Sequence, residues 1–171
     1  MDTLKLKKAC LLVLVCFPFW ANAIEFEFNP KYVGELHLGY TTTKKVNGYN
    51  TYTAYGSFGT LQGCSINQYL EVSLGVDAAM YTHYYRGQGL RFAMLTYADM
   101  RGFYPVTEKF SPFINLALGG GFMVRPFGGG NFYCEFGPGI KYRKFNLSCG
   151  LANIGTGKGT SHFFVKTGLY F

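Results

Sequence analysis

The chain contains 171 residues, and 16 Lys and Arg against 9 Asp and Glu give it a formal net charge of +7. This length fits one domain, and 23 glycines together with 19% aromatic residues favour strands and tight turns over helices. Basic chains often bind nucleic acid, but this N-terminus is that of an exported protein, so we exclude nucleic acid as a partner.

The first 23 residues have the pattern of a cleaved secretory signal peptide. Three lysines within residues 5–8 precede an apolar segment at 9–20, and an A-x-A cleavage site follows at 21–23. An apolar segment of twelve residues is too short to cross a membrane as a helix. We therefore predict a signal peptide at 1–23 and a single folded domain at 24–171.

Eight segments with the alternation of β-strands follow in chain order. They are residues 31–41, 52–62, 69–81, 89–101, 113–124, 131–142, 145–153 and 161–171. The third is the clearest, because its even positions from Leu70 to Met80 are apolar and its odd positions include Glu71 and Asp77. The second has the weakest alternation, and its two faces stay unassigned.

Turns and loops rich in glycine or polar residues separate these segments. A tight turn is predicted at 63–67, a glycine-rich loop at 125–130 and a two-residue turn at Arg143–Lys144. The spacing is short enough for each strand to pair with the next one in an antiparallel meander. We expect the loops after the first, third, fifth and seventh strands to lie outside the cell.

Three cysteines remain after residue 23, which is an odd number, so at least one is unpaired: Cys64, Cys134 and Cys149. If the hairpin between the sixth and seventh strands turns at residues 143–144, the residue numbers of each facing pair sum to 287. Cys134 then lies opposite Asn153 and not opposite Cys149. A disulfide between these two cysteines is therefore not expected.

The fold class that these patterns predict is all-β, an eight-stranded antiparallel up-and-down transmembrane β-barrel at 24–171. A tilted strand of about 9–11 residues crosses the hydrocarbon core, and an even number of strands closes without a free edge. Apolar faces would contact lipid and charged faces the lumen. Aromatic residues near strand ends indicate interfacial girdles: Tyr69, Tyr81, Phe103, Tyr104, Phe132 and Tyr142. The competing interpretation is a secreted soluble barrel with its apolar face around a ligand.

The charged faces carry the first candidate site, a network of ion pairs in the lumen. Its members are Glu35, His37, Glu71, Asp77, Arg91, Asp99, Arg101, Glu135, Lys141 and Lys166. Buried charges must pair, because an unpaired one costs several kcal/mol. Barrels of eight strands are filled by side chains, so we expect a plugged lumen; a narrow gated channel for ions or small solutes is the alternative.

A second candidate site is a basic outer rim, formed by Lys44, Lys45, Arg86, Arg125 and Lys158. Clustered cations attract lipid phosphates, so lipopolysaccharide and outer-membrane lipid are the expected partners of a monomer. Ordinary solvated loop charge explains the same residues equally well. We expect a role in envelope integrity or in contact with lipopolysaccharide or a partner.

A lipid A-modifying enzyme is a further alternative, with His162 and Ser161, or His83, near the outer interface. No nucleophile, base and orienting group lie at a spacing that indicates catalysis. We therefore predict that the protein is not an enzyme, and we expect no metal and no cofactor.

Several short segments resemble the small outer-membrane β-barrel domain family of Bacteroides-type bacteria, with OmpA/OmpX-like architecture. They are GCSINQY at 63–69 before the third strand, SPFINL at 111–116, FGPGIKY at 136–142 and KTGLYF at 166–171. The resemblance implies a multi-pass barrel in the cell outer membrane of a Gram-negative cell. It also implies that Lys166, Gly168, Tyr170 and Phe171 form the C-terminal signal for the barrel-assembly machinery. It implies no specific activity.

Overall fold

The computed structural model describes residues 28–43, 53–83, 91–125, 128–155 and 160–171. Eight strands account for nearly all of them: β1 (Lys31–Thr43), β2 (Thr53–Ser65), β3 (Leu70–His83), β4 (Arg91–Phe103), β5 (Phe110–Arg125), β6 (Gly128–Tyr142), β7 (Phe145–Gly155) and β8 (Thr160–Tyr170). Within these ranges no helix is long and apolar enough to cross a membrane. The predicted signal peptide lies outside the described residues and stays a prediction.

The strands form one closed antiparallel barrel in which each strand pairs with its neighbours in sequence, and β1 pairs with β8. Closure leaves no strand edge unpaired, which is the condition for a sheet in lipid. This confirms the predicted all-β fold with eight strands. One end, which we call the terminal end, carries Lys31, Tyr170 and the turns at 66–69, 104–109 and 143–144. The opposite end is called the loop end.

The alternation along each strand decides which side chains face outward. Large apolar residues such as Leu38, Leu74 and Phe163 are exposed on the outer surface, as predicted. The faces of β2, which the sequence left open, are also defined, because Tyr55 and Leu61 are buried inside the barrel. The outer surface is therefore apolar and the lumen holds the charged residues.

Two predicted connections are wrong. β2 continues to Ser65, which pairs with both Lys31 and Glu71, so the turn predicted at 63–67 lies instead at 66–69. Asn67 closes this turn, since its Oδ1 accepts hydrogen bonds from the backbone N–H of Tyr69 at 2.8 Å and of Leu70 at 2.9 Å.

The loop predicted at 125–130 is wrong for the same reason, namely that strand pairing extends further than alternation shows. Arg125 belongs to β5, and the three glycines from Gly128 belong to β6. Gly128 and Gly130 pair with β5 on either side of a register shift at Phe122 and Met123. Residues 126 and 127 lie outside the described ranges.

The predicted pairing of Cys134 with Asn153 is confirmed, and all three described cysteines are free.

The aromatic girdle is correct in part. Tyr104, Phe132 and Tyr142 are exposed near strand ends, and Tyr69 is half-buried. Phe103 is an exception, because it points into the lumen and packs against Phe113 with ring centroids 5.2 Å apart. The side chain of Tyr81 lies outside the described set.

Candidate functional site in the barrel lumen

The lumen contains the ionisable residues that the sequence grouped into one network. Eight of the ten predicted members are buried: Glu35, His37, Glu71, Asp77, Asp99, Arg101, Glu135 and Lys166. Lys141 is half-buried on the same inner face, and the side chain of Arg91 lies outside the described residues. The structure brings these residues together into two connected clusters, which differ in their central cation.

Arg101 is the centre of the cluster nearer the terminal end. Its Nε lies 2.7 Å from Oδ2 of Asp99, and its Nη1 lies 2.5 Å from Oε2 of Glu35. Nη1 also donates to the hydroxyl of Tyr170 at 2.7 Å, and this hydroxyl donates to Oε1 of Glu71 at 3.3 Å. One guanidinium therefore links carboxylates from three strands, which the planar fork of arginine allows.

Lys141 lies beside this cluster without a close ion pair. Among the described side chains, no carboxylate oxygen lies within 4.0 Å of its Nζ. The Nζ instead lies 3.7 Å from the ring centroid of Tyr170 and 5.2 Å from that of Phe103. Cation–π contacts of this kind stabilise a cation that has lost part of its water. Phe103 and Tyr170 therefore line the terminal end of the lumen.

Lys166 is the centre of the second cluster, in the middle of the barrel. Its Nζ lies 2.7 Å from Oε2 of Glu135 and 3.9 Å from Oδ2 of Asp77. It also donates to the hydroxyl of Tyr133 at 3.2 Å, and that hydroxyl donates to Glu135. Asn115 adds a further donor to Glu135 at 2.9 Å. Both clusters thus contain a cation that donates to a tyrosine, which donates to a carboxylate.

His37 connects the two clusters. Its Nε2 lies 2.8 Å from Oδ1 of Asp77 in the Lys166 cluster, and its Nδ1 lies 3.8 Å from Oε1 of Glu35 in the Arg101 cluster. The hydroxyl of Tyr97 donates to the same Oδ1 of Asp77 at 2.8 Å. The polar contacts therefore continue from Glu71 near the terminal end to Glu135 in the middle of the lumen.

Apolar and aromatic side chains also fill the lumen. Eight of them form one buried cluster, which shares Tyr97 and Tyr133 with the ionic network: Tyr55, Leu61, Ala79, Ala93, Leu95, Tyr97, Ala117 and Tyr133. Leu95 and Tyr133 are each only 1% exposed, so their side chains are tightly packed inside the barrel. In the described barrel, side chains therefore fill the lumen beside the ionic clusters.

Glycine on the inner face makes room for these side chains. A Cβ added to Gly75 would overlap the ring of Tyr97, and one added to Gly168 would overlap the carboxylate of Glu35. Glycine at these two positions therefore lets a neighbouring strand present a large side chain across a narrow lumen. The sequence showed that glycines share the charged face, but it did not show which side chain each one accommodates.

Sequence reasoning missed the tyrosines of the network, namely Tyr97, Tyr133 and Tyr170. Each occupies an inward position of its strand and is buried. The available signal was their alternation with apolar residues, because a buried tyrosine hydroxyl needs a hydrogen-bond partner. A tyrosine and a carboxylate on the same inward face therefore form a pattern that can be read from the sequence.

Of the residues considered for catalysis, only His162 has a described side chain. His162 is buried on the inner face, with its ring centroid 6.3 Å from that of Tyr55. The side chains of Ser161 and His83 lie outside the described set. Among the described residues, no group of three or more His, Cys, Asp or Glu side chains could hold a metal ion.

The predicted basic outer rim lies almost wholly outside the described residues. This applies to Lys44, Lys45, Arg86 and Lys158; Arg125 ends β5 at the loop end, and its side chain is not described. The predicted C-terminal signal is described in full. Lys166 and Tyr170 point into the lumen, whereas Phe171 is exposed, and its backbone N–H donates to the carbonyl of Gly34 at 3.0 Å.

No protein-family model and no curated protein matches the chain. Among solved structures it is similar to the outer-membrane enzyme PagL, with a TM-score of 0.53 and 11% identity over 80% of this chain and 98% of that one. It is also similar to Ail of Yersinia pestis in its crystal structure, with a TM-score of 0.46 and 10% identity over 85% of this chain and 100% of that one. These similarities concern the fold, which is that of small outer-membrane barrels.

Proposed function

We propose that this protein is a monomeric outer-membrane barrel of the Bacteroides-type family, with a closed lumen, that contributes to envelope integrity through contact with lipopolysaccharide or a partner. The observation that carries the proposal is the filled lumen, which is occupied by two ion-pair clusters and a buried cluster around Leu95. The apolar outer surface supports membrane insertion. The sequence segments that resemble the family support the narrower assignment.

The membrane location has a direct test. The mature chain should fractionate with outer membranes, and its folded form should migrate faster than the boiled form on a cold SDS gel. Recovery of the mature chain as a dissolved periplasmic or secreted protein would contradict the proposal. Loss of the fast band after deletion of Phe171 would support its proposed role in the assembly signal.

A closed lumen is tested by conductance in planar bilayers. We expect no steps above background for the unmodified protein, because side chains fill the described lumen. Channel openings in the unmodified protein would favour the alternative function, a narrow gated channel. One observation favours that alternative: the described lumen contains five carboxylates but only three Lys and Arg, which suits cations more than anions.

Contact with lipopolysaccharide is tested at the predicted outer rim. The triple substitution of Lys44, Lys45 and Arg86 by Gln should lower the amount of lipopolysaccharide that copurifies with the folded barrel. Lys31→Gln is the control, because Lys31 lies at the terminal end, on the opposite side of the membrane. Equal retention by the triple variant and the unmodified protein would remove lipopolysaccharide from the proposal and leave a structural role.

The proposed role is not enzymatic. His162, the catalytic candidate whose side chain is described, is buried on the inner face of the barrel. Lipid A from cells that overproduce the protein should therefore keep its acyl chains unchanged by mass spectrometry. A loss or gain of one acyl chain would overturn this part of the proposal.

A further inference from the structure

The terminal end of the barrel carries a group of exposed cations that the sequence did not single out. The turn between β6 and β7 consists of Arg143 and Lys144, and the turn before β5 ends at Lys109. All three side chains are exposed. The lumen network does not explain their role, because its described members are buried or half-buried, whereas these three side chains are exposed.

The two turns are joined directly. The backbone N–H of Arg143 donates to the carbonyl of Lys109 at 2.8 Å, and the N–H of Tyr170 donates to the carbonyl of Lys144 at 2.7 Å. Thr107 fixes the first turn, because its Oγ1 accepts from the N–H of Phe110 at 3.0 Å. These hydrogen bonds hold the backbones of the two turns, which carry the three cations, at one end of the barrel. We call them the terminal-end basic patch.

The patch lacks local neutralisation. Among the side chains that the structure describes, no carboxylate oxygen lies within 4.0 Å of Lys109, Arg143 or Lys144. Glu108 is exposed in the same turn and is the nearest acid in sequence, so the four side chains together carry a net charge of +2. Three neighbouring cations without ion pairs among the described side chains attract a diffusible or lipid-borne anion.

The position of the patch indicates the kind of anion. Exposed Tyr104, Tyr142 and Phe145 lie in or next to the same two turns, at the border of the apolar outer surface. Aromatic residues at such a border mark the level of lipid headgroups. Arg143 reinforces this position, because its Cζ lies 5.6 Å from the ring centroid of Tyr142. The cations therefore lie at the height of lipid phosphates.

We propose that the terminal-end basic patch binds the phosphate of an anionic glycerophospholipid in the leaflet that contacts the short turns. Apolar side chains below the patch contact the acyl chains, and Lys109, Arg143 and Lys144 contact the headgroup. In barrels of this type the short turns face the periplasm, so this site lies in the leaflet opposite lipopolysaccharide. The inference rests on the membrane insertion proposed above.

The test compares lipid selectivity in vesicles of phosphatidylcholine and phosphatidylglycerol. The refolded barrel is probed with spin-labelled phosphatidylglycerol, and its association relative to spin-labelled phosphatidylcholine is measured at low salt. The variant combines Lys109→Gln, Arg143→Asn and Lys144→Gln. Asn suits position 143, where φ is 55°. We expect the preference for phosphatidylglycerol to fall about fivefold or more, because the triple variant lacks the cations that attract the anionic headgroup.

Two single substitutions keep the result interpretable. Glu108→Gln removes the only acid of the two turns and should raise the preference for phosphatidylglycerol. Lys31→Gln removes an exposed cation from the same end but outside the patch. It should change the preference for phosphatidylglycerol less than the single substitution Lys109→Gln does. An increase of salt from low to about 0.5 M should weaken the preference of the unmodified protein most, because screening shortens the reach of exposed charges.

The outcomes separate this inference from the proposed function. A barrel that inserts, runs as a fast band on cold gels and shows equal lipid selectivity before and after the triple substitution would overturn the phospholipid site alone. Binding to isolated peptidoglycan that disappears in the triple variant, without any lipid preference, would replace the phospholipid by a carboxylate polymer. A chain that fails to insert into vesicles at all would contradict the proposed function instead.

Discussion

Replacement of Lys166 by Met tests whether the ionic lumen stabilises the barrel. The Nζ of Lys166 lies 2.7 Å from Oε2 of Glu135, and the two side chains are 11% and 3% exposed. At this distance and an effective dielectric constant of about 20, the Coulomb attraction is about 6 kcal/mol before the cost of desolvation. Removal of one partner of a buried pair typically costs about 3–5 kcal/mol. We expect about 3 kcal/mol, because Asn115 and Tyr133 still donate to Glu135.

The measurement is equilibrium unfolding in urea of barrels refolded into vesicles, with the folded fraction read from cold SDS gels. Tryptophan fluorescence is unsuitable, because the single Trp of the sequence, Trp20, lies in the predicted signal peptide. Lys31→Met is the matched control. Its side chain is exposed, so its free energy of unfolding should change by no more than about 0.5 kcal/mol.

The double variant Lys166→Met with Glu135→Gln distinguishes a lost ion pair from lost packing. Removal of both charges leaves no unpaired carboxylate at this position, so the double variant should be more stable than Lys166→Met alone by about 1–2 kcal/mol. The reasoning is refuted if Lys166→Met costs less than about 1 kcal/mol, or if the second substitution destabilises the barrel further. Either result would mean that water, and not Lys166, neutralises Glu135.

Two further substitutions test the packing of the lumen and the lipid-facing surface. Gly75→Ala should destabilise the barrel by about 1–3 kcal/mol, because the added Cβ would overlap the buried ring of Tyr97. Gly102→Ala is the control and should be neutral, because no atom lies within 4 Å of the added Cβ. Similar urea midpoints for the two variants would contradict this packing. Val76→Arg, on the outer face of β3, should cost about 2–4 kcal/mol in vesicles, whereas Val106→Arg in a terminal-end turn should cost about 0–1 kcal/mol. Equal costs for the two arginines would indicate that the outer surface contacts water.

The sequence predicted the side of the wall on which most residues lie, because side chains alternate with a period of two and each strand is long enough to show it. Strand ends were less predictable. Ser65 and Gly128 belong to strands only because a neighbouring strand continues far enough to pair with them. Local composition predicted a turn at both places, but pairing with the neighbouring strand extends the strand through these residues.

The partners within the lumen could not be predicted. Glu35 and Arg101 are separated by 66 residues. They lie on β1 and β4, which are three strands apart, and their side chains meet inside the closed barrel. Which inward side chains reach the same height depends on the stagger of all eight strands, which no single strand encodes. Phe103 shows the same limit, since alternation near a strand end does not tell whether an aromatic ring lies at the interface or in the lumen.

Neutral hydrogen-bond donors explain how the lumen holds more carboxylates than Lys and Arg side chains. Five carboxylates face three Lys and Arg among the described inner residues, so ion pairs alone would leave acids uncompensated. Tyrosine supplies the missing donors: Tyr170 donates to Glu71, Tyr97 to Asp77 and Tyr133 to Glu135. A hydroxyl satisfies a carboxylate oxygen without another cation to desolvate, and its ring fills the lumen at the same time. Tyrosine in place of further lysine therefore both closes the barrel and reduces the number of charges that must be buried.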